Sequence, residues 1–80
     1  MTSVPLTLEQ AKVGETLLVH RITDPETATV AMRLGISEGE TFFVASRIPG
    51  GPVVIRRGAV EIALGRELCR SILVTQAAVA

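Results

Sequence analysis

The 80-residue chain has very few of the residues from which catalytic and metal sites are usually built. It contains one histidine, His20, one cysteine, Cys69, and neither tryptophan nor tyrosine. A single cysteine excludes an internal disulfide and a zinc site made from a cysteine cluster. One histidine and one cysteine far apart in the sequence are also a weak basis for a nucleophile–base pair. Because free cysteines are commonly just buried, we expect Cys69 in the core, His20 on a strand face, no enzymatic activity and no bound cofactor.

The chain also lacks an excess of charge of either sign. Eight basic and eight acidic residues give a formal net charge of zero. Nucleic-acid-binding proteins usually carry a basic face, since contacts to phosphates supply much of their affinity. The only aromatic residues are Phe42 and Phe43, which are too few for a base-stacking surface. We therefore expect no nucleic-acid partner, and salt-dependent RNA binding would be the observation that reopened this alternative.

Long hydrophobic runs are absent too. No run approaches the ~18 apolar residues needed to span a bilayer. Residues 1–5 lack the basic start and apolar centre of a signal peptide, so we predict a cytoplasmic protein. Nevertheless 48% of the residues are hydrophobic and the mean hydropathy is +0.45. So short a chain must leave part of this apolar surface exposed, and a contiguous exposed patch is typical of an interaction surface.

The most informative stretch runs from residue 34 to residue 57. Leu34-Gly35-Ile36 is typical of a helix end, with Gly35 in the left-handed conformation. A turn at 37–39 precedes a β-branched and aromatic run that predicts a strand. Pro49-Gly50-Gly51-Pro52 then predicts a hairpin reversal into a second strand, and it lacks the Lys-Ser/Thr of a phosphate-binding loop.

The remaining segments predict a small β fold with one helix. Thr16–Ile22 reads as a first strand, and a helix should run from the Thr23-Asp24-Pro25-Glu26 start to Leu34. Either Thr23 or Asp24 can cap this helix. Its core face should consist of four residues, which are Thr27, Val30, Ala31 and Leu34.

Four shorter elements complete the prediction. The Thr7–Gln10 segment fits a capping box at a short helical turn, and Gly58-Ala59 fits a tight turn. Residues 65–70 should form a helical turn that inserts Leu68 beneath the sheet, and residues 72–74 a last strand. In the strand after Gly58-Ala59, the core-facing residues should be Val60, Ile62 and Leu64.

Together these motifs resemble the FeoA family, the ferrous iron transport protein A domains. The resemblance runs from about Leu8 to Val74 and rests on Leu-Gly-Ile-x-x-Gly, the Pro-Gly-Gly-Pro-Val reversal, and Ala63-Leu64 followed by Ile72-x-Val74. It implies one domain over residues 1–80, with a core of about 7–76, folded as a small SH3-like five-stranded barrel with one helix. It also implies a cytoplasmic accessory protein of ferrous iron uptake that binds and modulates the FeoB-type membrane GTPase permease.

The chain departs from the family pattern at three positions. Val30 replaces a frequent basic residue, Gly65 a frequent arginine and Cys69 a common alanine. The first two departures change side chains that the family's partner contact could use. The third is consistent with a packing role for Cys69.

Five residues are the candidate partner-binding set: Phe43, Arg47, Arg56, Arg57 and Leu73. If Phe42 and Val44 face the core, Phe43 faces outward, where it is either covered by the helix or exposed as an anchor for a partner, with Leu18 or Leu73 beside it. Arg47 and the Arg56-Arg57 pair, on facing strands, form either a solvated strand edge or a contact for an acidic partner.

Two further alternatives remain open at this stage. The chain could be a detached relative of the SH3-like C-terminal domain of iron- and manganese-dependent transcriptional repressors, acting in metal-dependent regulation. Three glutamates, Glu38, Glu40 and Glu61, could weakly attract a cation, although a solvated surface is the stronger interpretation. Homo-oligomers are also compatible with the sequence.

Overall fold

The computed structural model describes residues 4–77. Its elements are β1 Leu6–Thr7, a 3₁₀ turn Leu8–Gln10, β2 Thr16–Ile22, α1 Pro25–Arg33, β3 Thr41–Arg47, β4 Val53–Arg57, β5 Val60–Leu64, α2 Arg66–Arg70 and β6 Ile72–Gln76. The strands form one antiparallel sheet in the order β1-β6-β2-β3-β4-β5. The predicted fold class is confirmed, with a sixth, two-residue strand at Leu6–Thr7 that pairs with β6.

The core lies on the inner face of this sheet, which curls so that residues from five of its strands meet in one apolar cluster. In β2 the inward residues are Leu17 and Val19, which are buried and alternate with Leu18 and His20 on the other face. β3 behaves in the same way, with Phe42 and Val44 buried and Phe43 on the opposite face. The α2 helix packs on the 3₁₀ turn and closes one end of the core.

Local side-chain chemistry sets both ends of α1. The Asp24 carboxylate accepts hydrogen bonds at 2.9 Å from the backbone N–H and the hydroxyl of Thr27, so Asp24 is the cap. These hydrogen bonds, the backbone one first, lower the pKa of Asp24. At the other end Gly35 has φ of +79°, as the predicted left-handed helix stop requires.

Two expectations about the core are wrong. Val30 is 36% exposed, because α1 touches the sheet along a narrow stripe through Thr27 and Ala31. Val60 is 58% exposed, since it lies beside the Gly58-Ala59 turn at the end of the edge strand. In α2 the expectations hold, since Cys69 is fully buried in the core and Leu68 is partly buried and packs against it.

Two β-bulges change which residues face the core. One lies in β2 between Val19 and Arg21, and the other in β3 between Val44 and Ser46. After the second bulge, Arg47 pairs with the buried Val53. Arg47 therefore lies on the inner side of the sheet, whereas uninterrupted alternation would have placed it outside with Phe43. Among residues 4–77, no helix is long and apolar enough to cross a membrane.

Candidate protein-interaction surface

A row of four paired residues crosses the outer face of the sheet from β2 to β5. Thr16 pairs with Phe43, Phe43 with Arg56, and Arg56 with Glu61. The strand registers alone bring these residues together, since they come from distant parts of the sequence. Phe43 stands in the middle of the row and is half-buried.

The Phe43 ring is covered by an arginine side chain from the neighbouring strand. The Arg56 guanidinium carbon lies 5.2 Å from the ring centroid, and its Nε donates to Glu61 Oε2 at 3.4 Å. A cation–π contact at an exposed site contributes about 0.5–1 kcal/mol, and an exposed ion pair contributes about 0–1 kcal/mol. The side chain of Arg56 is 49% exposed, so the cover is held weakly. The sequence left open whether Phe43 would be covered or exposed. The structure shows an intermediate environment, in which Phe43 is half-buried and Arg56 covers its ring.

Two leucines extend the apolar part of this face towards β6. Leu18 pairs with Thr41 on one side and with Thr75 on the other, which places it diagonally next to Phe43. Leu73 lies on the same outer face of β6, and both leucines are half-buried. We name Leu18, Phe43, Arg56 and Leu73 the outer patch.

Arg57 points to the opposite side of β4 from Arg56, because it shares the face of the buried Val53 and Ile55, so it does not join Arg56 beside Phe43. Its guanidinium donates to the Glu40 carboxylate and lies against the backbone of Gly35. An ideal Cβ placed on Gly35 would be 2.7 Å from Arg57 Nη1, so the absence of a side chain at Gly35 makes room for this guanidinium. Both neighbouring arginines are therefore paired within the chain, each with its own glutamate.

Arg47 does not join the predicted basic cluster. The bulge in β3 turns it inward, where its guanidinium donates to the backbone carbonyls of Glu9 and Ala11. These two carbonyls belong to the 3₁₀ turn and the residue after it. Arg47 thus attaches the N-terminal segment to β3, and its grouping with Arg56 and Arg57 is corrected.

A different basic cluster surrounds Glu9. Its carboxylate accepts from Arg70 Nε at 3.1 Å and pairs with Arg66 Nη1 at 3.4 Å, while its carbonyl accepts from Arg47. Sequence reasoning missed this cluster, because Glu9 is separated from Arg66 by 57 residues and from Arg70 by 61. No local pattern connects residues so far apart.

The structure brings together no catalytic or metal-binding group within residues 4–77. Cys69 is buried and its Sγ approaches the Leu64 carbonyl at 3.7 Å. Burial raises the pKa of the Cys69 thiol to about 11, so the thiol stays protonated. His20 is exposed on the bulge of β2. In this part of the chain no three histidine, cysteine or acidic residues are grouped as metal ligands.

The three glutamates considered as a cation site are each engaged elsewhere. Glu38 accepts the backbone N–H of Ile22 at 3.1 Å, Glu40 pairs with Arg57, and Glu61 pairs with Arg56. Their oxygens therefore point to different protein donors.

Solved structures of similar fold include both free-standing domains and parts of larger proteins. A crystal structure of an iron uptake regulatory protein, FeoA, has a TM-score of 0.82 and 24% identity, with 92% of this chain and 99% of that chain covered. A FeoA-like protein from Clostridium acetobutylicum has a TM-score of 0.82 and 21% identity, with 100% and 94% covered. A manganese-dependent transcriptional repressor has a TM-score of 0.82 and 24% identity, with 96% of this chain but only 44% of the repressor covered.

These likenesses establish a small SH3-like fold, as the resemblance implied. No curated protein matches the sequence significantly. The family model described as the FeoA domain matches residues 6–76, which is nearly the whole chain. The chain therefore belongs to the FeoA domain family.

Proposed function

We propose that this protein is a non-enzymatic, cytoplasmic accessory protein of bacterial ferrous iron uptake that docks on the cytoplasmic part of a FeoB-type permease and modulates it. The observation that carries the proposal is an FeoA domain that occupies residues 6–76 and presents a weakly covered phenylalanine on its outer face. The thiol with a raised pKa and the dispersed acidic residues favour binding over chemistry.

The proposed contact is the outer patch, and Arg57 lies outside it on the opposite face of β4. A partner's apolar side chain would take the place of the Arg56 guanidinium on Phe43, and Arg56 would turn to an acidic group of the partner. Leu73 would extend the apolar contact towards β6. Arg47 would contribute indirectly, because it holds the N-terminal segment against β3 through two backbone carbonyls.

Docking modulates the permease only if the affinity differs between two of its states. A ligand shifts a conformational equilibrium by its differential affinity for the two conformations. A roughly tenfold preference for one state corresponds to about 1.4 kcal/mol. A contact the size of one displaced arginine and one buried phenylalanine ring is large enough to supply such a difference.

The direct test is calorimetric titration of the permease's cytoplasmic part with this protein and with three variants. Phe43→Ala should weaken binding by at least about tenfold, as loss of a central aromatic anchor does. Arg57→Glu should weaken it much less, because Arg57 lies on the opposite face of β4 from Phe43. Met32→Ala is the matched control, since Met32 is 64% exposed on α1, outside the outer patch.

The outcomes test the proposed partner and the proposed contact surface separately. If the wild-type protein does not bind the permease in any nucleotide state, the proposed partner is wrong. If wild type binds and Phe43→Ala binds equally well, the partner is retained and the outer patch is wrong. Thermal unfolding of each variant shows whether lost binding reflects lost folding.

A second candidate is metal-dependent regulation as a detached relative of repressor domains. It is favoured by the likeness to part of a manganese-dependent repressor. Titration with Mn²⁺ and Fe²⁺ under anaerobic conditions distinguishes it, because this candidate requires specific binding of one ion. Saturable binding with loss on Glu38→Gln would support it, and absence of binding would remove it.

A further inference from the structure

The two edges of the sheet differ in how they are protected against pairing with another strand. β1 at one edge is only two residues long and directly follows Pro5. β5 at the other edge is five residues long, Val60–Leu64, contains no proline, and pairs with β4 without a bulge. Natural edges are usually protected by bulges, prolines or several charges, and β5 has only Glu61. It is thus the open edge of the sheet.

The turn that precedes β5 determines which backbone groups face this open edge. Gly58 has φ of +61° at the first central position of a two-residue loop, as in a type II′ turn. Such a turn is closed by hydrogen bonding between the flanking residues, Arg57 and Val60. Hydrogen-bonded and non-bonded pairs alternate along an antiparallel ladder. The N–H and C=O groups of Glu61 and Ala63 therefore point away from β4.

These four groups have no partner among residues 4–77. No backbone hydrogen bond from this part of the chain reaches Glu61 or Ala63 from the open side. Both residues are exposed. The edge thus presents two donors and two acceptors at regular spacing, as a strand does before another strand joins it.

We propose that β5 pairs antiparallel with β5 of a second copy of this chain, about a two-fold axis that passes between the two Ile62 residues. In this register Glu61 lies opposite Ala63 of the second copy, and the two exchange hydrogen bonds at both symmetric positions. Each Ile62 faces its counterpart in the closely spaced, non-bonded pair. The exposed Val60 lies opposite Leu64 of the second copy.

Charge favours a second copy as the occupant of this edge. The net charge of zero means that two copies do not repel each other. In the proposed register no like charges lie opposite one another, because Glu61 faces an alanine. The contact is only five residues long, so we expect a weak dimer that forms at high concentration.

This dimer is independent of the proposed permease contact and compatible with it. Pairing uses the edge of the sheet, whereas the outer patch lies on its face, with Phe43 two strands away from β5. The two-fold axis is perpendicular to the sheet, so both outer patches face the same side. One dimer would then offer two docking surfaces to a single target.

Sedimentation equilibrium from micromolar to millimolar protein, with charge variants at position 63, tests the register. Ala63→Glu places like charges opposite Glu61 at both symmetric positions and should weaken the dimer about tenfold. Ala63→Lys places a cation opposite Glu61 twice and should strengthen the dimer. The double variant Glu61→Lys, Ala63→Glu should recover dimerisation, because it restores opposite charges with the signs exchanged.

Two further variants test the edge itself. Ala63→Pro removes an N–H that the β4–β5 ladder does not use, so it should abolish the dimer while thermal unfolding remains cooperative. Val13→Glu is the control, because Val13 is 56% exposed and lies outside β5. A wild-type protein that stays monomeric at millimolar concentration overturns the proposal. Equal responses to Ala63→Glu and Ala63→Lys overturn it as well, since the register requires opposite ones.

Discussion

Replacing Gly35 with alanine should destabilise this fold more than the same replacement at Gly39. Both glycines occupy the left-handed region, with φ of +79° and +90°. They differ in what surrounds them. An added Cβ meets Arg57 Nη1 at 2.7 Å at position 35, and nothing within 4 Å at position 39. Comparing Gly35→Ala with Gly39→Ala therefore separates the energetic cost of backbone strain from the cost of displacing the Arg57 side chain.

The magnitudes follow from these two contributions. The left-handed conformation costs an L-residue about 1–2 kcal/mol, and both variants carry this penalty. At position 35 the guanidinium must also move, which breaks its ion pair with Glu40. The two side chains are 44% and 41% exposed, so loss of this pair contributes only about 0.2–1 kcal/mol. We expect Gly39→Ala to cost about 1–2 kcal/mol and Gly35→Ala about 1.2–3 kcal/mol.

Urea unfolding of the single variants and of a double-mutant cycle with Arg57→Ala measures both contributions. In the Arg57→Ala background, Gly35→Ala should cost the same as Gly39→Ala, because the obstructing guanidinium is gone. In the wild-type background the difference should reappear. Equal penalties for Gly35→Ala with and without Arg57 would refute the close approach. An unchanged melting temperature for Gly35→Ala would refute the placing of the helix end.

Three other predictions follow from single contacts. Arg47→Met should lower the free energy of unfolding by about 1.5–3 kcal/mol, since it leaves two partly buried carbonyls without their charged donor. Arg33→Met is the control, because Arg33 lies on the exposed surface of α1 and its replacement should change the free energy of unfolding little. Cys69 should react with a thiol reagent at pH 8 only after denaturation, because burial raises its pKa to about 11, and fast labelling of folded protein would contradict this. Because the pKa of Asp24 is lowered in the folded state, its ionised carboxylate stabilises the fold at pH values above the unfolded-state pKa. This contribution is lost as the pH falls through the folded-state pKa. Melting temperature should therefore drop further between pH 7 and pH 2 in wild type than in Asp24→Asn.

The parts of the fold that depend on neighbouring residues were predictable from the sequence. The Asp24-Pro25 start and the Gly35 stop define α1 through hydrogen bonds and backbone preferences within a few residues. The inward alternation of Phe42 and Val44 has the same local origin. The outward position of Phe43 follows directly from it.

The contacts of the arginines were not predictable in this way. The bulge between Val44 and Ser46 has no sequence signature here, yet it decides that Arg47 faces inward. The contact of Arg56 with the Phe43 ring depends on the pairing register between β3 and β4. An alternation pattern in the sequence does not determine this register.

If the outer patch is the docking surface, the weak cover on Phe43 would keep it available in a neutral, strongly apolar chain. Uncovering the ring gives up the contact with Arg56 and the ion pair of Arg56 with Glu61, together about 0.5–2 kcal/mol. Full burial of a phenylalanine side chain returns about 1.5–3 kcal/mol, although Phe43 is already half-buried and recovers only part of this. The two amounts nearly cancel, so an apolar surface alone would bind poorly. A partner that also offers a carboxylate to Arg56 would replace Glu61 as its ion-pair partner. This second contact would make the free energy of docking favourable. We therefore expect a partner docked on the outer patch to present an apolar side chain beside an acidic one.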